Sequence, residues 1–332
     1  MSTNPRFWTV ADALPRPEAP FYVAKVLAKQ SQCDLAVSNG EFGGLGDVLV
    51  FTPLVEEYAR RLGRRIRLLS APFSSRVGLA AGESAYPIWQ NNPFISEIID
   101  ARHFGQDAVR ALALDGTTCC QYGHVIENVC IGYGLSSRRS RPSLFLSAQE
   151  QAVALDLLRE ARRPLIALNP GGKTCSPPDS PWHEKNWTEL VRRCRDVADF
   201  VQLGKPDYDR ARLEIPFPRT TLRQMFSIIW ACDGFIGFDS GPMHVAAAFE
   251  CPSLILWDTR QKLAAEGEAS PAVILRWGYS QNRNLMIFPD PANEILGQIE
   301  RWIRDLTRRL SWTSNTLASV VRHSVTSDEG SP

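Results

Sequence analysis

Short apolar runs recur along this chain, each ending in a turn and giving way to a stretch of helical spacing, and that alternation narrows the fold more than any other feature. Leu35-Ala36-Val37 runs into the glycine loop Asn39-Gly40-Glu41-Phe42-Gly43-Gly44-Leu45-Gly46-Asp47, and helical spacing follows over residues 48–62. Residues 65–69 and 95–99 predict two further strands, the second behind the turn Asn91-Asn92-Pro93. Strands joined through helices lie parallel, because a tight hairpin cannot connect them. After helical spacing over 124–133 and 147–162, with Ala152, Leu155 and Leu158 expected on one face, the alternation restarts at residues 164–169. Strands at 200–203, 235–238 and 253–257 alternate with helices at 187–197, 222–232 and 245–249. The last amphipathic stretch, 292–310, puts Ile295, Ile299, Trp302, Ile303 and Leu306 on one side.

A chain of 332 residues exceeds one ordinary core, so this double alternation reads as an α/β protein of two domains. The expected boundaries are an extension over 1–33, a first domain over 34–160, a second over 161–310, and a polar, disordered tail over 311–332. With 44% hydrophobic and 22% charged residues the chain is neither fibrous nor disordered, and a formal charge of +1 gives no bulk attraction to nucleic acid. The eight cysteines form no CxxC pair and read as scattered thiols of a reducing compartment. The crowded stretch Cys119, Cys120, His124, Cys130 reads as packing, and no metal site is expected. No apolar run reaches the roughly 18 residues of a membrane span, and no charged-then-apolar leader opens the chain. The expectation is a cytoplasmic protein.

Three constellations could carry chemistry. Phe238-Asp239-Ser240-Gly241-Pro242-Met243-His244 stands where a buried strand becomes a helix, and a helix N-terminus holds phosphate with backbone N–H groups and the positive end of its dipole. There Gly241 admits close backbone approach and Ser240 adds a hydroxyl; the plainer alternative is Asp239 or Ser240 as an N-cap with His244 a core histidine. The loop Gly43-Gly44-Leu45-Gly46-Asp47 resembles a dinucleotide-binding loop, but Leu49 stands where its last glycine belongs, which disfavours a nicotinamide cofactor. Asp47 is then either a helix cap or a general base aimed into a cleft, with Thr52-Pro53 kinking or restarting the helix behind it. Third, Lys173 and the stretch His183-Glu184-Lys185-Asn186-Trp187 place lysines ahead of a helix, suited to a pyrophosphate or simply solvated. Arg60, Arg61, Arg64 and Arg65 form a basic cluster that is either a solvated face or a surface for an anionic acceptor or lipid head groups.

In this order the three constellations resemble glycosyltransferase family 9, the ADP-heptose lipopolysaccharide heptosyltransferases and their relatives, over about residues 35–310. Gly44-Leu45-Gly46-Asp47-Val48-Leu49 with Thr52-Pro53 is similar to the family's N-terminal Gly-Asp loop, and Lys185-Asn186-Trp187 to its Lys-x-Trp-Pro element, with Thr188 in place of proline. Asp239-Ser240-Gly241-Pro242-Met243-His244 resembles its Asp-(Ser/Thr)-Gly-x-x-His segment and is the most specific of the three. The resemblance implies a GT-B fold, two Rossmann-like domains with parallel sheets facing across a cleft, acceptor on the N-terminal side and donor on the C-terminal side. It implies an inverting glycosyltransferase without metal or cofactor, taking a sugar, a heptose from ADP-heptose first, from a nucleotide diphosphate to a hydroxyl of a lipopolysaccharide or other surface glycan precursor. Carried over, Asp47 deprotonates the acceptor, Lys185 steadies the pyrophosphate, Asp239, Ser240, Gly241 and His244 hold the nucleotide, Asp207 meets the ribose, and Gly44 and Gly46 shape the loop. The partners implied are a nucleotide-sugar donor and a glycan, lipid-linked or small-molecule acceptor, not nucleic acid, with peripheral contact at the inner face of the inner membrane as an option. The alternatives are a non-catalytic nucleotide-sugar-binding module, a transferase acting on a protein or small metabolite, or an epimerase on a similar scaffold.

Overall fold

The structure is a computed structural model and describes residues 19–37, 44–73, 84–105, 108–109, 112, 123–171, 182, 184–204, 213–257, 270–287 and 291–326. Two parallel sheets organise it. The first has the order β1 (Leu35–Ala36), β2 (Ile66–Ser70), β3 (Ile95–Asp100), and the second runs through β4 (Leu165–Asn169), β5 (Asp199–Gln202), β6 (Gly234–Phe238), β7 (Ser253–Trp257) and β8 (Asn282–Met286) in the order β5-β4-β6-β7-β8. Each strand predicted from an apolar run is present. β8 was not legible in the sequence, because Asn282-Arg283-Asn284 alternates polar groups toward solvent on an edge and buries only Leu285 deeply.

Period-two alternation divides the second sheet cleanly. Ile166, Leu168, Ile236, Phe238, Leu254 and Leu256 face a cluster with Trp187 and Leu190 of helix α6 (Glu184–Cys194) and with Ile295, Ile299 and Ile303 of α10 (Ala292–Thr326). Leu165, Ala167, Phe235, Ile255 and Trp257 face the opposite way, onto α7 (Leu222–Ala231), α8 (Gly241–Ala248) and α9 (Ser270–Trp277). That second cluster continues without a break into the core of the first sheet, so the two Rossmann-like lobes share apolar packing along α7 and α8.

Three elements differ from the sequence expectation. Residues 1–33 read as an overlaid extension, yet α1 (Ala19–Gln30) sinks Phe21, Val23, Ala24 and Leu27 into the first core. Phe21 lies over Gly132, the last residue of α4 (Val125–Gly132), where a Cβ would fall 2.3 Å from its ring, and meets Tyr133 edge-on at 5.3 Å. Burying one such ring is worth about 1.5–3 kcal/mol; the prolines around residues 15–20 had masked the helical spacing. The second difference is in α5 (Ala148–Leu157), where Ala152 and Leu155 are exposed and Ala154 with Leu158 packs inward. Apolar residues on both sides of that helix leave no dominant stripe, so the contact with α7 decides its orientation. Third, α10 continues to Thr326 through the stretch read as a disordered tail; no glycine or proline interrupts residues 311–326.

Behind the glycine loop the helix restarts, as Thr52-Pro53 allowed. α2 (Leu45–Leu49) ends, and α3 (Thr52–Leu62) begins with Pro53 in its first turn, where the missing N–H costs nothing. Gly63 closes α3 in the left-handed conformation, φ 65°. The arginines behind it are largely engaged by the protein itself: Arg60 pairs with Glu56, Arg64 with Asp34, and Arg65 donates to the Ile95 carbonyl.

Candidate functional site

In an open parallel sheet, ligands settle outside the carboxyl ends of strands where successive connections diverge to opposite sides. Here β4 connects through α6 to β5 on one side, and β5 returns through α7 to β6 on the other, so the divergence falls between β4 and β6. The carboxyl ends at that point are Asn169 of β4 and Phe238 of β6, and Asp239-Ser240-Gly241 follows directly. The sheet itself therefore selects the segment that the sequence singled out.

Ser240 precedes α8 without capping it through its side chain. Its hydroxyl lies 3.0 Å from Asn169 Oδ1 and 3.2 Å from the Phe238 carbonyl, tying the two strand ends together. Pro242 occupies the first turn of α8, and the eight-residue helix directs the positive end of its dipole into the crevice. Lys185 is exposed at the start of α6. Trp187, two residues on, is buried and meets Phe238 edge-on at 5.8 Å and Trp182 at 5.6 Å, which anchors the lysine-bearing end of α6 to the strand that carries Asp239.

His244 lies beneath the crevice, 3% exposed. Its Nδ1 is 2.5 Å from the Tyr279 hydroxyl, and its ring stands edge-on to Tyr279 and Trp277. Burial raises the Tyr279 phenol well above its ordinary pKa, and the nearby Asp239 carboxylate adds to the rise. The His124 ring also meets Tyr279, at 5.3 Å, and it caps α4 by accepting from the Ile126 N–H. Loss of hydration lowers the His124 pKa to about 4, so this imidazole is neutral near pH 7. Tyr279 and His124 were invisible as site neighbours in the sequence, since neither belongs to a motif.

From the first lobe, α2 lays directly against α8. Asp47 lies in its first turn, partly buried, and its carboxylate accepts from the Gly44 N–H, so it fills the capping role whatever else it does. Gly46 is buried against the His244 ring, and Leu45 occupies the space over Gly241. Asp47, Asp239, Ser240, Gly241 and His244 are thus brought to one junction, with Gly44 at its exposed rim. Asp207, Lys173 and the pair Cys119-Cys120 lie outside the described residues. Among the described residues no group of three His, Cys, Asp or Glu is arranged to hold a metal ion.

A second interlobe tie lies nearby. Arg223 of α7, 6% exposed, makes two 2.7 Å contacts with the Glu150 carboxylate of α5 and donates to the carbonyls of Pro87 and Phe145. Burial pushes the Glu150 pKa up, but Arg223 and the Ser147 N–H outweigh it and hold the carboxyl below its usual range. In sequence Arg223 looks like any solvated helix arginine.

Residues 121–277 match the family model of glycosyltransferase family 9 (heptosyltransferase). The match spans just under half of the chain and makes that segment similar to this glycosyltransferase family. The matched residues hold Lys185 and the Asp239–His244 segment of this transferase, whereas its Gly-Asp loop lies N-terminal to them. Among solved structures it is similar to E. coli ADP-heptose lps heptosyltransferase II, at 16% identity and TM-score 0.58 over 83% of this chain and 98% of that one. It is also similar to the glycosyl transferase family 9 protein from Veillonella parvula, at 16% identity and TM-score 0.53 over 74% of this chain and 83% of that one. These likenesses establish the GT-B fold of the transferase. No curated protein matches the chain by sequence. Among the described residues no helix is long and apolar enough to cross a membrane.

Proposed function

We propose that this transferase moves a heptose from ADP-heptose to a hydroxyl of a lipopolysaccharide precursor, with inversion at the anomeric carbon and without a metal ion. The observation that carries the reading is the junction itself. The crevice at the strand-order divergence ends in Asp239-Ser240-Gly241 at the start of α8, and the helix α2 of the other lobe, which carries Asp47, packs on α8. The name of the E. coli ADP-heptose lps heptosyltransferase II supports the choice of donor and acceptor.

In this scheme the nucleotide diphosphate lies along the carboxyl ends of β4 and β6. The α8 dipole and the Lys185 ammonium stabilise the charge that gathers on the departing diphosphate, which grows toward the transition state. Asp47 takes the proton from the acceptor hydroxyl as its oxygen attacks the anomeric carbon from the face opposite the diphosphate, so the new glycosidic bond forms as the old one breaks. The contact from Gly44 N–H holds the Asp47 carboxylate in one orientation. Asp207 belongs to the proposed donor set beside the ribose. The domain division proposed with this chemistry is an acceptor-side unit over 34–160 and a donor-side unit over 161–310. Its place is the cytoplasm, with the lipid-linked acceptor met at the inner face of the inner membrane.

A thermal-shift screen over ADP, GDP, UDP, CDP and TDP tests the nucleotide, with ADP expected to give the largest rise in melting temperature. NMR of the product formed from ADP-heptose, in buffer with EDTA, then reads both the configuration at the anomeric carbon and the need for metal. Retention of configuration, or loss of transfer on chelation that added divalent metal restores, overturns the corresponding part.

A further inference from the structure

Gly46 and Gly241 were both expected to serve loops around a ligand, yet each is filled by the opposite lobe. A Cβ on Gly46 would fall 2.5 Å from Cδ2 and 2.7 Å from Nε2 of His244, and a Cβ on Gly241 would fall 2.6 Å from Cβ of Leu45. Carbon atoms do not approach so closely, so the two helices sit at a separation that only two glycines permit. The obstacle at Gly46 cannot swing aside. His244 is buried, bonded to Tyr279 through Nδ1, and wedged edge-on against Tyr279 and Trp277. At Gly241 the obstacle is the root of a side chain, which moves only with its backbone.

We propose that Gly46, Gly241, His244 and Leu45 form an interlobe bearing, with His244 and the two glycines as positioning residues that set the distance between Asp47 and the donor crevice. Asp47 follows Gly46 directly, and Asp239-Ser240 precedes Gly241 directly, so any widening of the bearing separates the two sides of the reaction by the same amount. His244 acts here through Gly46. The catalytic part of this inference rests on the proposed function; the geometric part does not.

The test moves a methyl group across the contact. G46A, H244A and G46A/H244A form one cycle, and G241A, L45G and G241A/L45G form a second that leaves the His244–Tyr279 bond in place. Hydrogen exchange at amides 45–49 and 241–248 reports the contact without any turnover, calorimetry with ADP reports the donor side, and kcat and KM for transfer from ADP-heptose report the chemistry. G46A is expected to speed exchange at both segments, to leave ADP affinity within about twofold, and to lower kcat by about 100-fold, the cost of a misplacement near 1 Å. Removing the opposing group in each double variant restores slow exchange relative to the alanine variant alone. Unchanged exchange in both G46A and G241A, or double variants no better than the alanine singles, overturns the bearing. A wild-type protein that does not transfer from ADP-heptose overturns the proposed donor instead, and exchange still decides the bearing.

Discussion

The two carboxylate-bearing loops of the junction are built in opposite ways. Asp239 follows β6, a strand buried at all of its residues and hydrogen-bonded to β4 on one side and β7 on the other. Asp47 rides on α2, five residues long and broken from α3 by the turn at Val50-Phe51. Helices that short are not stable by themselves, so α2 takes its position from what it rests on. One loop is fixed by its own sheet; the other is fixed by the neighbouring lobe. Placement of the proposed base is therefore a property of the interface.

Removing Asp47 gives the largest effect expected on this contrast. Asp47→Asn keeps an acceptor oxygen for the Gly44 N–H but cannot take a proton, and kcat is expected to fall about 100- to 10,000-fold with ADP affinity unchanged by calorimetry. Transfer at the wild-type rate would leave Asp47 as a cap alone. Arg223→Ala is next, and it acts on the interface. Taking the guanidinium from the half-buried Glu150 carboxylate, which keeps Asn91 and Ser147, and from the carbonyls of Pro87 and Phe145 is expected to cost about 1.5–3 kcal/mol in denaturant unfolding, more than an exposed ion pair.

A pH series sharpens the contrast from the acid side. The folded protein keeps His124 neutral down to about pH 4, whereas the unfolded chain protonates it below about 6.5. Between those values the unfolded state binds more protons, so stability falls as pH falls, by about 1.4 kcal/mol per pH unit and about 3 kcal/mol in all. Glu150, depressed below its ordinary 4.5, adds its own loss only at lower pH, outside the window from pH 6.5 to 5. His124→Asn retains an N-cap acceptor for Ile126 and is expected to flatten unfolding free energy across that window; a slope equal to wild type would assign the effect elsewhere. The smallest effect belongs to the loop fixed by its sheet. Ser240→Ala loses a hydrogen bond to Asn169 or Phe238, worth about 1 kcal/mol, and a correspondingly modest drop in ADP affinity is expected by calorimetry.

What was legible in the sequence follows the same division. Apolar runs announced seven of the eight described strands, most of them because a strand buried on both faces has few polar positions, and Asp239-Ser240-Gly241 stood out because it ends such a run. β8 escaped because an edge strand tolerates Asn282, Arg283 and Asn284. The contact of Gly46 with His244 escaped for another reason: the residues are far apart in the chain and each had a sufficient local explanation, a loop glycine and a core histidine. Arg223 and Glu150 carry the same lesson, since charge on a helix shows its burial only after the lobes are docked.

α10 crosses the start of β6, where a Cβ on Gly234 would stand 2.9 Å from Leu306 and 3.1 Å from Trp302. The strand that ends in Asp239 is thus clamped at its opposite end by the final helix. Trimming the chain back past Trp302 would pull a peg from the bottom of that strand, and the disturbance would emerge at the top, where the nucleotide is proposed to sit.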